Sequence, residues 1–133
     1  MRFISIVLLT LSVQSCGLNS TPIENMCTDA NETYEYWADT NVPENTKVLH
    51  GQYWSTPHFF KEYELYMEIE APWVKDFITY NQVPSGTRPI KTPANAPKWF
   101  SPPENFPVWT GAFGSVYFID TVNMHMFMYE KQY

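Results

Sequence analysis

A chain of 133 residues, 44% hydrophobic and 17% charged, is long enough for one small domain and too apolar to be disordered. Its formal net charge of −6 repels a phosphate backbone and an anionic lipid surface, which argues against nucleic acid as a partner and against membrane binding through basic patches. Five Trp, nine Tyr and nine Phe make it rich in rings, which supply much buried area per residue and so compensate for a short chain.

Met1-Arg2 is a short positive start, and Phe3 to Val13 (FISIVLLTLSV) is a largely apolar run of eleven residues. A membrane-spanning helix needs about 20 residues, so this run fits a secretory signal instead. No later apolar run approaches spanning length. The run closes on Val13-Gln14-Ser15-Cys16. This stretch resembles the lipobox of bacterial lipoproteins, with Gln14 the one departure from the expected residue types. The resemblance implies removal of residues 1–15, a lipid on Cys16, and a membrane association made through that anchor alone. Gly17 after it, rather than Asp, implies outer-membrane sorting in a Gram-negative cell. The resemblance ends there and says nothing of the mature domain. Two alternatives remain open: cleavage to a secreted or periplasmic soluble chain, and a disulfide between Cys16 and Cys27, the chain's two cysteines.

Residues 16–44 are polar and acidic and read as a tether, with Glu24, Asp29, Glu32, Glu35, Asp39 and Glu44 preceding the first mature base, Lys47. Within it, Asn31 to Asp39 (NETYEYWAD) has the pattern of a short helix that Val42-Pro43-Glu44 breaks. The domain proper is expected over 45–133. Thr46 to Ser55 reads as a strand, with Val48, His50, Gln52 and Trp54 on one face and Gly51 marking a weak spot or bulge. Lys61 to Glu70 (KEYELYMEIE) is the clearest strand: Tyr63, Leu65, Met67 and Ile69 alternate with an acidic face expected to be solvated. Pro72 to Tyr80 (PWVKDFITY) has helical spacing of Trp73, Val74, Phe77 and Ile78, with Pro72 suited to the first turn.

Residues 82–110 hold seven of the eleven prolines, and Trp99, Phe100, Phe106 and Trp109 are spaced through them as anchors. A connection of this length in a small domain is usually functional, and disorder is disfavoured by those rings. Ala112 to Asp120 and Met124 to Lys131 read as a hairpin around Thr121-Val122-Asn123. In its second strand Met124, Met126 and Met128 alternate with His125, Phe127 and Tyr129; both faces are largely apolar, which predicts a strand covered on both sides. His125 points away from the methionines, which reads as packing rather than copper binding.

The expectation is an α+β domain: a mainly antiparallel sheet of about four strands, one helix on a face, and a long Pro- and aromatic-rich loop. No Gly-rich phosphate cradle, nucleophile elbow or metal-ligand spacing of His50, His58 and His125 is present, so no catalytic residue, metal or cofactor is assigned. The function expected is that of a non-enzymatic, lipid-anchored envelope protein that binds another protein, of an accessory, inhibitor or immunity type. Trp99, Phe100 and Trp109 are the expected binding residues, on a backbone stiffened by Pro97, Pro102 and Pro103. A cell-wall glycan stacked on Trp99 and Trp109 is the alternative ligand. A hydrolase with a distributed site, using His50, His58 and the glutamates of 62–70, is the weaker alternative.

Overall fold

The computed structural model describes residues 25–56, 62–85 and 92–132. Strands β1 (Asn25–Cys27), β2 (Lys47–Ser55), β3 (Tyr63–Glu70), β4 (Val108–Thr110), β5 (Val116–Asp120) and β6 (His125–Gln132) form one antiparallel sheet in the order β1-β2-β3-β6-β5-β4. Helices α1 (Ala30–Ala38) and α2 (Val74–Asn81) lie on one face of it. The fold class is α+β as expected, with six strands rather than about four among the described residues, and with the short helix expected in the tether joining α2 on the sheet. The two extra strands, β1 and β4, are three residues each and too short to show a period.

Residues 25–38, expected in the tether, form β1 and α1. Asp29 caps α1, its Oδ1 accepting from the Glu32 amide at 2.9 Å. Tyr34 then enters the core at 5% exposure. Asp39 closes the helix in the left-handed region, and Gln82 does the same for α2, its amide donating to the Ile78 and Thr79 carbonyls.

The alternation in β3 and β6 divides the core in two. Leu65, Met67 and Ile69 with Met126 and Met128 face the helices, joined by Val74, Phe77, Tyr117 and Ile119. The opposite face carries Tyr66, Phe118, Phe127 and Tyr129, and Phe100 and Phe106 of the proline-rich loop cover it. The alternating face of β3 is therefore not a solvated acidic face. Tyr66 is 3% and Glu68 9% exposed beneath the loop. The expectation that β6 is covered on both sides holds, since it is paired with β3 and β5 and packed on both faces.

One irregularity sets the chemistry of the loop side. Val48 pairs with Ile69 and His50 with Glu68, so Leu49 is an extra residue in β2. The bulge reverses the alternation: Val48 packs with the helix-side core, whereas His50 turns to the loop side. The two were expected on one face. Gly51 comes next, and there α1 approaches so closely that a Cβ would sit 2.7 Å from that of Thr33.

Candidate functional site

On the loop side, the bulge places His50 opposite Glu68, and the β3–β6 register brings His125 diagonally across from it. His50 Nδ1 lies 2.7 Å from Glu68 Oε2, and His125 Nε2 lies 2.9 Å from Glu68 Oε1. As acceptor for both, Glu68 fixes the ring nitrogen that carries each proton. Trp99 stacks on His50 at 5.0 Å and 14°, and Phe106 meets the His125 ring edge-on at 5.4 Å. The imidazoles meet opposite oxygens of one carboxylate, so their nitrogens do not converge. Among the described residues no group of three or more His, Cys, Asp or Glu side chains is arranged to hold a metal. The cluster fastens the loop to the sheet. Beside it, Glu64 accepts from Tyr129 Oη at 2.8 Å, Tyr66 Oη at 3.1 Å and Asn95 Nδ2 at 3.4 Å, tying the loop at a second point.

The residues expected to bind a partner do not share a surface. Phe100 is 3% exposed at the centre of the loop-side core. Trp99 is half-buried on His50. Trp109, in β4, is half-buried on the opposite face, against the helix-side core. Cys16 and His58 lie outside the described residues. Cys27 is 1% exposed and disulfide-bonded.

The helix side carries a different arrangement. A cavity of about 690 Å³ opens between α2, β4 and β5, walled by Trp37, Phe77 and Tyr117 with Glu130 among its lining. A second, of about 470 Å³, lies between α1 and α2 along Tyr34, Trp73 and Tyr80. The two share Trp37, Phe77 and Asn81 and so lie side by side, a two-part groove on the helix side. Trp37 and Trp73 stack at 6.0 Å, and Trp73 Nε1 donates to Thr46 Oγ1 at 3.1 Å, which holds the wall between the helices.

Glu130 is the polar centre of this groove. Its Oε2 accepts from Trp37 Nε1 at 2.9 Å and Tyr63 Oη at 3.0 Å, and its Oε1 accepts from Tyr117 Oη at 2.6 Å. Burial raises the pKa of Tyr63 and Tyr117, and the adjacent Glu130 charge raises both further. At the rim, Tyr80 is 86% exposed. Phe113, beside the lining residue Ala112, is 61% exposed with a φ of 54°. A bulky side chain in the left-handed region is strained, and such strain concentrates at functional sites.

Nothing local in the sequence marks this groove. Trp37 lies in the stretch read as tether, and the donors to Glu130 stand 93, 67 and 13 residues before it. Compared with family models, curated proteins and solved structures, the chain matches none. The functional reading therefore stands on geometry and sequence.

Proposed function

We propose that this chain is a non-enzymatic binding protein of the cell envelope, and that it captures another protein through the helix-side groove. The observation that carries the reading is the pair of adjacent aromatic cavities, with Tyr80 exposed on the lining of one and Phe113 exposed next to the lining residue Ala112 of the other. Exposed rings on backbone already in place lose little freedom on binding, and aromatic anchors in pockets dominate protein interfaces. The proposed binding surface thus lies across the sheet from Trp99 and Phe100, on the face that Trp109 also packs against. The histidine–glutamate cluster does not favour a hydrolase, because both oxygens of its one carboxylate are engaged by the two imidazoles.

The test is capture from envelope extracts by the wild type and by Tyr80→Ser and Phe113→Ser. Both side chains are exposed, so the variants keep the melting temperature and lose the partner. Unchanged capture by both variants, or saturable quenching by cell-wall fragments in place of any protein, overturns the reading.

The export segment at 1–15 and the lipobox-like Val13–Cys16 support anchoring through Cys16, with the domain facing the periplasm or the cell surface. A disulfide at Cys27 has Cys16 as its one possible partner within the sequence, and a bridged Cys16 carries no lipid, so the bridge and the anchor are alternative fates of that residue. Intact mass and fractionation decide between the two fates. A lipid adduct on the mature chain, with Cys16→Ser released from membranes, supports the anchor. A mass showing a Cys16–Cys27 bridge, with wild type and Cys16→Ser fractionating alike, overturns it and leaves a soluble exported domain.

A further inference from the structure

We propose that the cavity around Glu130 receives a cationic side chain, a lysine ammonium, from the protein partner. The inference rests on the helix-side groove being the binding surface, and it names the chemistry the groove selects.

Three observations carry it. First, Glu130 has no ion-pair partner among the described residues. Its three donors are an indole N–H and two phenols. These satisfy acceptor positions but leave the negative charge uncompensated, and a carboxylate offers about four such positions, so one remains on Oε1. Second, the walls are ring faces and edges set at angles to one another. Trp37 and Phe77 lie 6.3 Å apart at 42°, and Phe77 and Tyr117 5.1 Å apart at 56°. Tilted rings around one carboxylate suit an ammonium group, which gains from the ring quadrupoles as well as from the charge. A hard metal ion would need several oxygen ligands in place of those rings. Third, the groove's charged lining is of one sign. Glu130 lines one half and Asp76 the other, and no described Lys or Arg lines either. With a net charge of −6, the whole chain favours approach of a cationic segment.

The cavity is also the right size. At about 690 Å³ it admits a lysine side chain with room for the flanking backbone, and the aliphatic stem lies along Phe77 while the ammonium reaches Glu130.

The experiment titrates the purified full chain with Nα-acetyl-lysine methylamide, using Nα-acetyl-norleucine methylamide as the uncharged control and tryptophan fluorescence or calorimetry as the readout. The lysine compound should bind at least about tenfold more tightly than the norleucine compound, with a preference that shrinks as salt rises. Glu130→Gln should remove the preference. Because that variant disturbs the indole and phenol donors, Ala112→Trp, at an exposed rim position, serves as a second block that leaves Glu130 untouched. Equal binding of the two compounds, no saturable response to the lysine compound, or a preference that survives both variants overturns the proposal. So does choline binding tenfold more tightly than the lysine compound, which assigns the cage to a lipid headgroup. If the lysine compound fails while Tyr80→Ser still loses the partner, the cationic assignment falls and the groove stands. If Tyr80→Ser and Phe113→Ser also capture normally, both fall.

Discussion

Gly51 shows how one residue type sets the distance between two elements. Thr33, fully buried in α1, sits against it, and a Cβ at 51 would lie 2.7 Å from the Thr33 Cβ and 3.0 Å from the Ala30 Cα. Gly51→Ala should therefore destabilise the domain by about 1–3 kcal/mol through overpacking, read as a lowered denaturation midpoint with an unchanged slope. Glu64 makes the opposite point. By alternation alone it belongs to a solvated face, where truncation is nearly neutral. In the structure it accepts from two phenols and an amide, so Glu64→Ala should cost about 1–2 kcal/mol, reduced by its partial exposure. Leu65→Ala, at 0% exposure, should cost about 2–5 kcal/mol. A stability of Glu64→Ala indistinguishable from wild type would show that the loop is not tied down at Glu64.

At the scale of elements, the proline-rich loop is the part whose role changed most. Its rings fill the second core rather than presenting a surface. Phe100 packs edge-on against Tyr66, Phe118 and Phe127, with centroids 5.1, 6.2 and 5.8 Å away. Phe100→Ala should therefore cost about 3–5 kcal/mol, as for any large buried ring, and proteolysis should then cut the loop first. A melting temperature unchanged from wild type would return Phe100 to the surface. The bulge at Leu49 works on the same scale. One extra residue turns Val48 to the helices and His50 to the loop, and without it no histidine from β2 would meet Glu68. The sequence marks Gly51 as the weak spot, two residues beyond the bulge that occurs, and a period-two reading of β2 carries through Leu49 unbroken.

The whole molecule is a sheet covered on both faces, held on each by phenols hydrogen-bonded to a carboxylate. Tyr63 and Tyr117 donate to Glu130 on one side, and Tyr66 and Tyr129 to Glu64 on the other. Burial is the first cause that raises all four above the ordinary tyrosine value of 10, and the neighbouring glutamates add to it. The unfolded chain loses these protons near pH 10 while the folded chain keeps them. Their contribution is thus fully present below pH 10 and is lost as pH rises beyond it. The denaturation midpoint should fall steeply above pH 10, and phenolate absorbance from these tyrosines should appear only as the fold is lost. Gradual ionisation of all nine tyrosines in a chain that stays folded would show that the four phenols are accessible.

The sequence by itself determined the α+β class, the places of α1 and α2, the four longer strands, with β5 begun four residues early, and the double coverage of β6. Those features are written in periods and breakers within ten residues of one another. It also determined the acidic balance of the chain. Only the tertiary structure decided that the acidic tether folds from Asn25 onward, that β1 and β4 widen the sheet, and that the loop is core. Only it gathered Trp37, Phe77, Tyr117 and Glu130 into one cavity and brought Tyr63 to donate to Glu130. The reason is physical: a side chain's local pattern says whether it will be buried or exposed, whereas a site is made by register and packing between segments far apart in the chain. Glu130 reads as the polar end of a strand until α1, β3 and β5 each bring it a donor.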